Sequence, residues 1–488
     1  MIFKKLYQFL YHQISPKQII LKNSLWMGLS KLISSLLKFA LIPIAANILG
    51  PEQFGQFNYT ISLLLVYFTF ADLGLAGLLV RVVHQSADTP SSLRATFTLK
   101  LILLSLSVMT AVAGFFLITD TIVKSLFILF LAKVSLDNLK LFFYTLLGAY
   151  NRLQFRSITD IVEASVVSGL GLFLLFKTSS LYYFTWAYVI GSVVGCFLAL
   201  FFALPYLKFS TKLNMNELKR LLKMTLPLFG ISLMGSLLLT SDTLMIKWLK
   251  GLEEVGFYTA SLKILELVSF FYLIINSTLY PFLTKFYKEA TRFFIVLRKG
   301  FMGQILLAIP ITFGGIFFAE NIILHLYSDT FLRSAMLLKI LLIGLIFFST
   351  QSFLSLGLLA LNKEKLNFYL TSSATILNII LNLAFIPTYG ALGAVWGTVL
   401  SRSLLLLSSY YYINNFSNGP ILQFGSLLKI VTASLLLLGF HSLSYSYFHY
   451  ISLIIISMVL YPLLLILFKE KYSIEFFNYI KKNVSSTK

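Results

Sequence analysis

Charge is scarce in this 488-residue chain. Asp, Glu, Lys and Arg together make up 12 %, about half the share that soluble domains carry. That excludes a soluble globular protein of this size, whose surface needs more polar cover. Acid is scarcer still, with 18 Asp and Glu against 39 Lys and Arg and a formal charge of +21. Such an excess suggests nucleic acid, but the basic residues sit in short loops between apolar runs. That pattern fixes membrane topology, so no nucleic-acid partner is expected. A single cysteine, Cys196, excludes an intramolecular disulfide and reads as a packing residue. The five histidines, His12, His84, His325, His441 and His449, are scattered without ligand spacing, so no metal and no cofactor are expected. No outer loop is longer than Ala319–Arg333, which leaves no room for a membrane glycan polymerase or ligase to do sugar chemistry. Linkers rich in Pro, Gly or Ser are absent.

What fills the chain is apolar sequence. Hydrophobic residues reach 58 % and mean hydropathy is +0.87. The runs approach the roughly 20 residues that cross a bilayer. The expected fold is all-α and polytopic, with fourteen transmembrane helices from 24–48, 56–80 and 96–118 through to 426–445 and 449–468. The first run is too long for a signal-peptide core and a second follows at once, so an uncleaved anchor is expected. Residues 1–23, which mix Phe3, Leu6, Phe9 and Leu10 with Lys4, Lys5 and Lys17, are expected to be a cytoplasmic amphipathic segment.

Alternate loops differ sharply in charge. One set, which includes both termini, carries about 25 Lys and Arg, and the other about four: Lys124, Lys177, Lys250 and Arg333. Both termini are therefore expected to be cytoplasmic, in agreement with an even number of spans.

An internal repeat organises the chain. Gly50-Pro51-Glu52-Gln53-Phe54-Gly55 follows the first run and Gly251-Leu252-Glu253-Glu254-Val255-Gly256 the seventh. Each is Gly-x-Glu-x-x-Gly followed by aromatics. Six helices separate the copies, so the repeat is parallel about the membrane normal. The expected organisation is a six-helix bundle over 24–205, a basic cytoplasmic linker over 206–223, and a second six-helix bundle over 224–413. Two extra helices over 414–468 and a basic tail over 469–488 complete it. Gly191-x-x-x-Gly195 and Gly393-x-x-x-Gly397 give small faces for close helix approach.

Charges inside the spans carry the functional expectation. A charge at the bilayer centre costs about 2.5–3.5 kcal/mol on insertion scales, so it pairs or lines a cavity. Lys31 and Lys38 share one face of the first helix, and Lys133, Asp137 and Lys140 share one face of the fourth. Lys133 can pair with Asp137, and Lys263 with Glu266. Lys100, Lys140, Asp160, Glu163, Lys247 and Lys339 lie nearer helix ends and are expected to snorkel to the interface. Lys31, Lys38 and Arg402 remain as net positive charge at depth. The candidate substrate-binding set is Lys31, Lys38, Lys133, Arg402 and Lys263, suited to grip phosphate as point charges. Asp72, Asp137 and Asp242 are the candidates for ion coupling.

The Ile48–Gly55 turn, Asp72-Leu73-Gly74-Leu75, Leu226-Pro227 with Asp242, Glu254–Tyr258 and Ile386–Ala394 resemble the polysaccharide-biosynthesis flippases of the multidrug/oligosaccharidyl-lipid/polysaccharide superfamily, the Wzx-like O-antigen translocases. The resemblance covers about residues 22–415. It implies that an undecaprenyl-pyrophosphate-linked oligosaccharide is moved from the inner to the outer leaflet of the bacterial inner membrane, in O-antigen or related polysaccharide biosynthesis. The implied partners are that glycan lipid and the bilayer, with glycan polymerase machinery as a candidate. Basic residues of the first helix are assigned to the cavity in the family, and Lys31 and Lys38 occupy that helix here. Two alternatives share the architecture: a lipid II flippase, and a drug/cation antiporter, against which the excess of lysine at depth counts.

Overall fold

The computed structural model describes residues 16–85, 89–207, 210, 214–417 and 419–474. Among them it is almost wholly helical and has no strand. The helices are α1 (Pro16–Phe68), α2 (Leu75–Gln85), α3 (Thr89–Phe115), α4 (Thr121–Ala149), α5 (Leu153–Thr178), α6 (Leu181–Ala203), α7 (Met215–Lys250) and α8 (Leu252–Phe286). They continue with α9 (Ala290–Phe317), α10 (Ala319–Leu326), α11 (Arg333–Ala360), α12 (Glu364–Tyr389), α13 (Ala391–Asn415), α14 (Phe424–Ser444) and α15 (Tyr450–Leu467). The expected amphipathic character of the N-terminal segment falls largely on residues 1–15, outside those described, as does most of the basic tail.

Ten helices among the described residues are long and apolar enough to cross a membrane, eleven if the bent pair within α8 counts as one span. The protein is a multi-pass membrane protein. The difference from fourteen has local causes. Leu25–Ala71 counts once, although Gly50 (φ 77°, ψ 172°) breaks α1 inside it. The middle of α4 is interrupted by Lys133, Asp137 and Lys140. The expected span 56–80 is not continuous: a 3-10 turn at Thr69–Ala71 ends it, and α2 resumes at Leu75.

Packing divides the chain into two units. The first is Met1–Lys247 with Gly251–Gly256; the second is Trp248–Lys250 with Phe257–Lys488. In the first, α1 packs on α5 and α4, and α6 packs on both α4 and α5. Its apolar interior is layered. One cluster holds Phe57, Phe127, Phe130, Val134 and Phe184, with Phe57 edge-on to Phe130 at 5.1 Å. A second holds Leu79, Leu93, Phe142, Phe143 and Leu147. In the second unit, α13 packs on α11 and α12, α9 on α11 and α14, and α14 on α15.

The repeat is visible in the backbone of the first unit. Gly251 (φ 100°, ψ −177°) reproduces the turn of Gly50, a conformation with positive φ that glycine adopts freely. A Cβ at Gly55 would collide with the Leu252 carbonyl, and one at Gly256 with the Pro51 carbonyl. Each second glycine of the motif therefore seats the second residue of the other copy.

Candidate functional site

Lys133, Asp137 and Lys140 lie in the middle of α4, between residues committed to the two apolar clusters. Asp137 is 12 residues from one helix end and 16 from the other, about 18 and 24 Å at 1.5 Å per residue. Side chains this deep cannot reach water by snorkelling, so their charge is met inside the protein.

The structure shows how. Lys133 Nζ lies 2.7 Å from Asp137 Oδ2, the i,i+4 pair expected from the sequence. Lys140 Nζ bridges Asp137 Oδ1 at 2.7 Å and Glu163 Oε2, on α5, at 2.6 Å. Ser192 of α6 donates to Asp137 Oδ1 at 3.0 Å. One helical turn further, Tyr144 donates to Asp160 Oδ1 at 2.8 Å, Arg156 pairs with Asp160 at 3.8 Å and its guanidinium lies over the Tyr144 ring. The Gly191-x-x-x-Gly195 face of α6 makes this possible, because a Cβ at Gly195 would occupy the place of Glu163 Oε2.

This network lines a cavity of about 340 Å³, with Ile61, Leu65, Lys133, Asp137, Asn138, Lys140, Tyr144 and Arg156 among its walls. Within the network three cations, Lys133, Lys140 and Arg156, balance three carboxylates, Asp137, Asp160 and Glu163. Lys38 is in excess. It is exposed, lies within electrostatic range of Glu163, Lys133, Lys140 and Asp137, and forms no ion pair among the described residues. Between Lys31 and Lys38, Ser34 donates to the Asp160 carbonyl at 3.1 Å, which turns this part of α1 towards α5. Lys31 is likewise exposed.

A second polar centre sits at the helix break. Leu73 (φ 45°) and Gly74 (φ 77°) take left-handed conformations, which frees carbonyls that a continuous helix would use. Non-helical backbone at membrane depth needs such groups satisfied by protein. Lys100 of α3 supplies the donor: its Nζ lies 2.9 Å from the Ala71 carbonyl, 3.2 Å from Asp72 Oδ1 and 3.4 Å from Asn138 Oδ1.

Several expectations change. Lys100 and Lys140 do not snorkel; both are buried and bonded. Glu163 is buried against Lys140 rather than at an interface, and Asp160 joins the interior network through Tyr144 and Arg156. Lys247 lies over the Tyr59 ring at 5.3 Å, whereas Lys339 does pair near its helix end, with Glu320 at 2.6 Å. Lys31, Lys38 and Lys133 belong to the first unit, with Asp72, Asp137 and the buried Asp242. Lys263 and Arg402 belong to the second. There Lys263 pairs with Glu266 at 2.9 Å, and the Arg402 guanidinium lies 5.1 Å from the Phe348 ring centre. Tyr144, Ser192 and Arg156 were not singled out as site residues, and only the tertiary packing reveals them.

The chain is similar to known proteins over most of its length. The chain is 24 % identical over 405 residues to the capsular polysaccharide biosynthesis protein CapF of Staphylococcus aureus, covering 80 % of this chain and 99 % of CapF. A probable low-salt glycan biosynthesis flippase, Agl15 of Haloferax volcanii, is 22 % identical, with 81 % and 84 % covered. A putative O-antigen transporter of Shigella flexneri is 21 % identical, with 80 % and 97 % covered. The fold is that of the lipid II flippase MurJ in an inward closed conformation, with a TM-score of 0.76 at 18 % identity, covering 93 % of this chain and 99 % of MurJ. A model described as polysaccharide biosynthesis protein matches residues 20–287. That match spans more than half of the chain, which belongs to the polysaccharide biosynthesis protein family.

Proposed function

We propose that the protein is a flippase for a lipid-linked glycan, a transporter and not an enzyme. Its substrate is an undecaprenyl-pyrophosphate-linked oligosaccharide, moved from the inner to the outer leaflet of the bacterial inner membrane by alternating access through a cationic cavity. The names of the relatives support the transport of a glycan. The observation that carries the finer reading is Lys38, an exposed ammonium beside a charge-balanced network that lines a cavity. A net cation there favours an anionic head group, and Lys31 on the same helix face extends the attraction. The diphosphate is the charged part of such a substrate; its lipid tail stays in the bilayer while the sugars cross. Lys133 contributes through its pair with Asp137. Arg402 and Lys263 of the second unit are assigned to the same substrate by their charge and depth in the sequence. Both termini are cytoplasmic on this reading, in keeping with the basic loops. Asp72, Asp137 and Asp242 are the acids proposed for ion coupling, and the ion pairs of Asp72 and Asp137 also suit a structural role.

The test is transport of a fluorescent pyrophosphate-linked oligosaccharide in vesicles carrying the purified protein. The double variant Lys31→Ala, Lys38→Ala is expected to abolish transport while membrane abundance stays at the wild-type level. Full transport by that variant overturns the assignment to α1. In cells, deletion should strand lipid-linked glycan on the cytoplasmic face.

A further inference from the structure

The second unit holds a cavity that the transport site does not use. It has a volume of about 420 Å³ and lies between α10 and the turn that joins α14 to α15, with Asn321, His325, Tyr445, Phe448, His449 and Tyr450 in its walls. Its size is within the roughly 300–1,000 Å³ of small-molecule sites. We infer that it is a saccharide-binding site, which receives sugar residues of the transported glycan through stacking on its aromatic rings and hydrogen bonds from its amide, imidazole and phenol groups.

The lining residues carry this choice. None of them is an Asp, Glu, Lys or Arg, so the lining resembles a site for an uncharged polar ligand more than one for phosphate or carboxylate. Aromatic rings are concentrated there and left open: Phe448 is 51 % and Tyr445 45 % exposed. Ring contacts hold the wall in place, with His449 against Tyr450 at 4.6 Å and His325 edge-on to Tyr450 at 5.8 Å. A sugar ring offers an apolar C–H face to such rings and hydroxyls at its edge. The polar groups match those hydroxyls. The Asn321 amide and the Tyr445 hydroxyl bond to each other, Nδ2 lying 2.9 Å and Oδ1 3.2 Å from the hydroxyl oxygen, which fixes two polar groups at the rim within reach of a sugar hydroxyl. His449 caps α15, its Nδ1 accepting from Ile451 N at 3.4 Å. That contact leaves Nε2 as the ring nitrogen for a ligand hydroxyl. With both termini cytoplasmic, α9 and α14 both run outward, so the cavity opens on the face where the glycan arrives.

The identity of the saccharide rests on the proposed transport function; the presence of a sugar site does not. The probe is the lipid-free oligosaccharide released by mild acid from the cells' own lipid-linked glycan. Binding is read by saturation-transfer NMR on the full chain in nanodiscs. Transfer to the sugar protons is expected with the wild type, and a loss of about fivefold or more with Tyr450→Ala. His449→Ala, at an exposed side chain, should weaken it too and guards against a folding defect at Tyr450. Lys31→Ala with Lys38→Ala should keep the signal, which separates this site from the central one. Equal transfer by wild type, Tyr450→Ala and His449→Ala, or transfer to nanodisc lipid alone, overturns the inference. Vesicle transport is measured on the same preparations. Transport with pocket-independent sugar binding sinks this site and leaves the flippase standing. Pocket-dependent binding without transport does the reverse.

Discussion

Replacing Lys140 by methionine removes one ammonium that serves two carboxylates. Asp137 keeps Lys133 at 2.7 Å and Ser192 at 3.0 Å, but Glu163 loses its only ion pair among the described residues. Both Lys140 and Glu163 side chains are only 10 % exposed, so little water takes over. Breaking a buried pair from one side costs about 3–5 kcal/mol, because the remaining charge stays buried. Converting that charge to an amide should recover most of the loss. Lys140→Met with Glu163→Gln is expected to lie within about 1–2 kcal/mol of the wild type, the worth of the lost hydrogen bonds. Glu163→Gln alone leaves Lys140 paired with Asp137 at 2.7 Å and should cost little, so the double-mutant cycle should show a coupling of about 2–3 kcal/mol. Denaturant titration of the detergent-purified protein measures all four members. A single variant that loses less than about 1 kcal/mol, with strictly additive effects, would refute the claim that Lys140 neutralises Glu163 inside the bundle.

Two further outcomes follow from the packing. Gly195→Val places a side chain where Glu163 Oε2 now sits; overpacking should cost about 1–3 kcal/mol, and Glu163→Ala in the same chain should relieve it in the same titration. At the start of α7, Glu217 accepts from Arg220 at 2.6 Å and from Ser92 at 2.9 Å, and the Arg220 hydrogen bond holds its carboxyl below its ordinary value of 4.5. A depressed value in the folded state gives stability that is present above pH 4.5 and lost as pH falls through the lowered value. The wild type should therefore exceed Glu217→Gln by up to about 1 kcal/mol at pH 6, kept small by the exposure of Arg220. The gap should close on acidification, as read by thermal unfolding at each pH.

The local patterns were legible from sequence. Lys133 and Asp137 at i,i+4, and Lys263 and Glu266 at i,i+3, pair as their spacing dictates. The two Gly-x-Glu-x-x-Gly turns share one backbone form. What periodicity does not contain is partnership between distant helices. Lys140 and Glu163 meet because Gly195, on a third helix, leaves room for the carboxylate. The small-residue face of α6 was visible, but not the acid it accommodates. Lys100 looked like an interfacial lysine because the apolar run from 56 to 80 gives no sign that the helix stops at Asp72. Only the left-handed turn at Leu73 and Gly74 creates the carbonyl that draws the ammonium inward. The wall of the second cavity was hidden for the same reason, since Asn321 and Tyr445 meet across 124 positions of chain.

Lys100 also touches Asn138, the immediate neighbour of Asp137. A single flexible amine thus ties the interrupted segment to the helix that presents the ion-pair network. Straightening that interruption would withdraw the Ala71 oxygen from the amine and pull on Asn138, an α4 residue of the cavity wall. The two polar centres are consequently one mechanical assembly, and a substitution at either should be felt at the other.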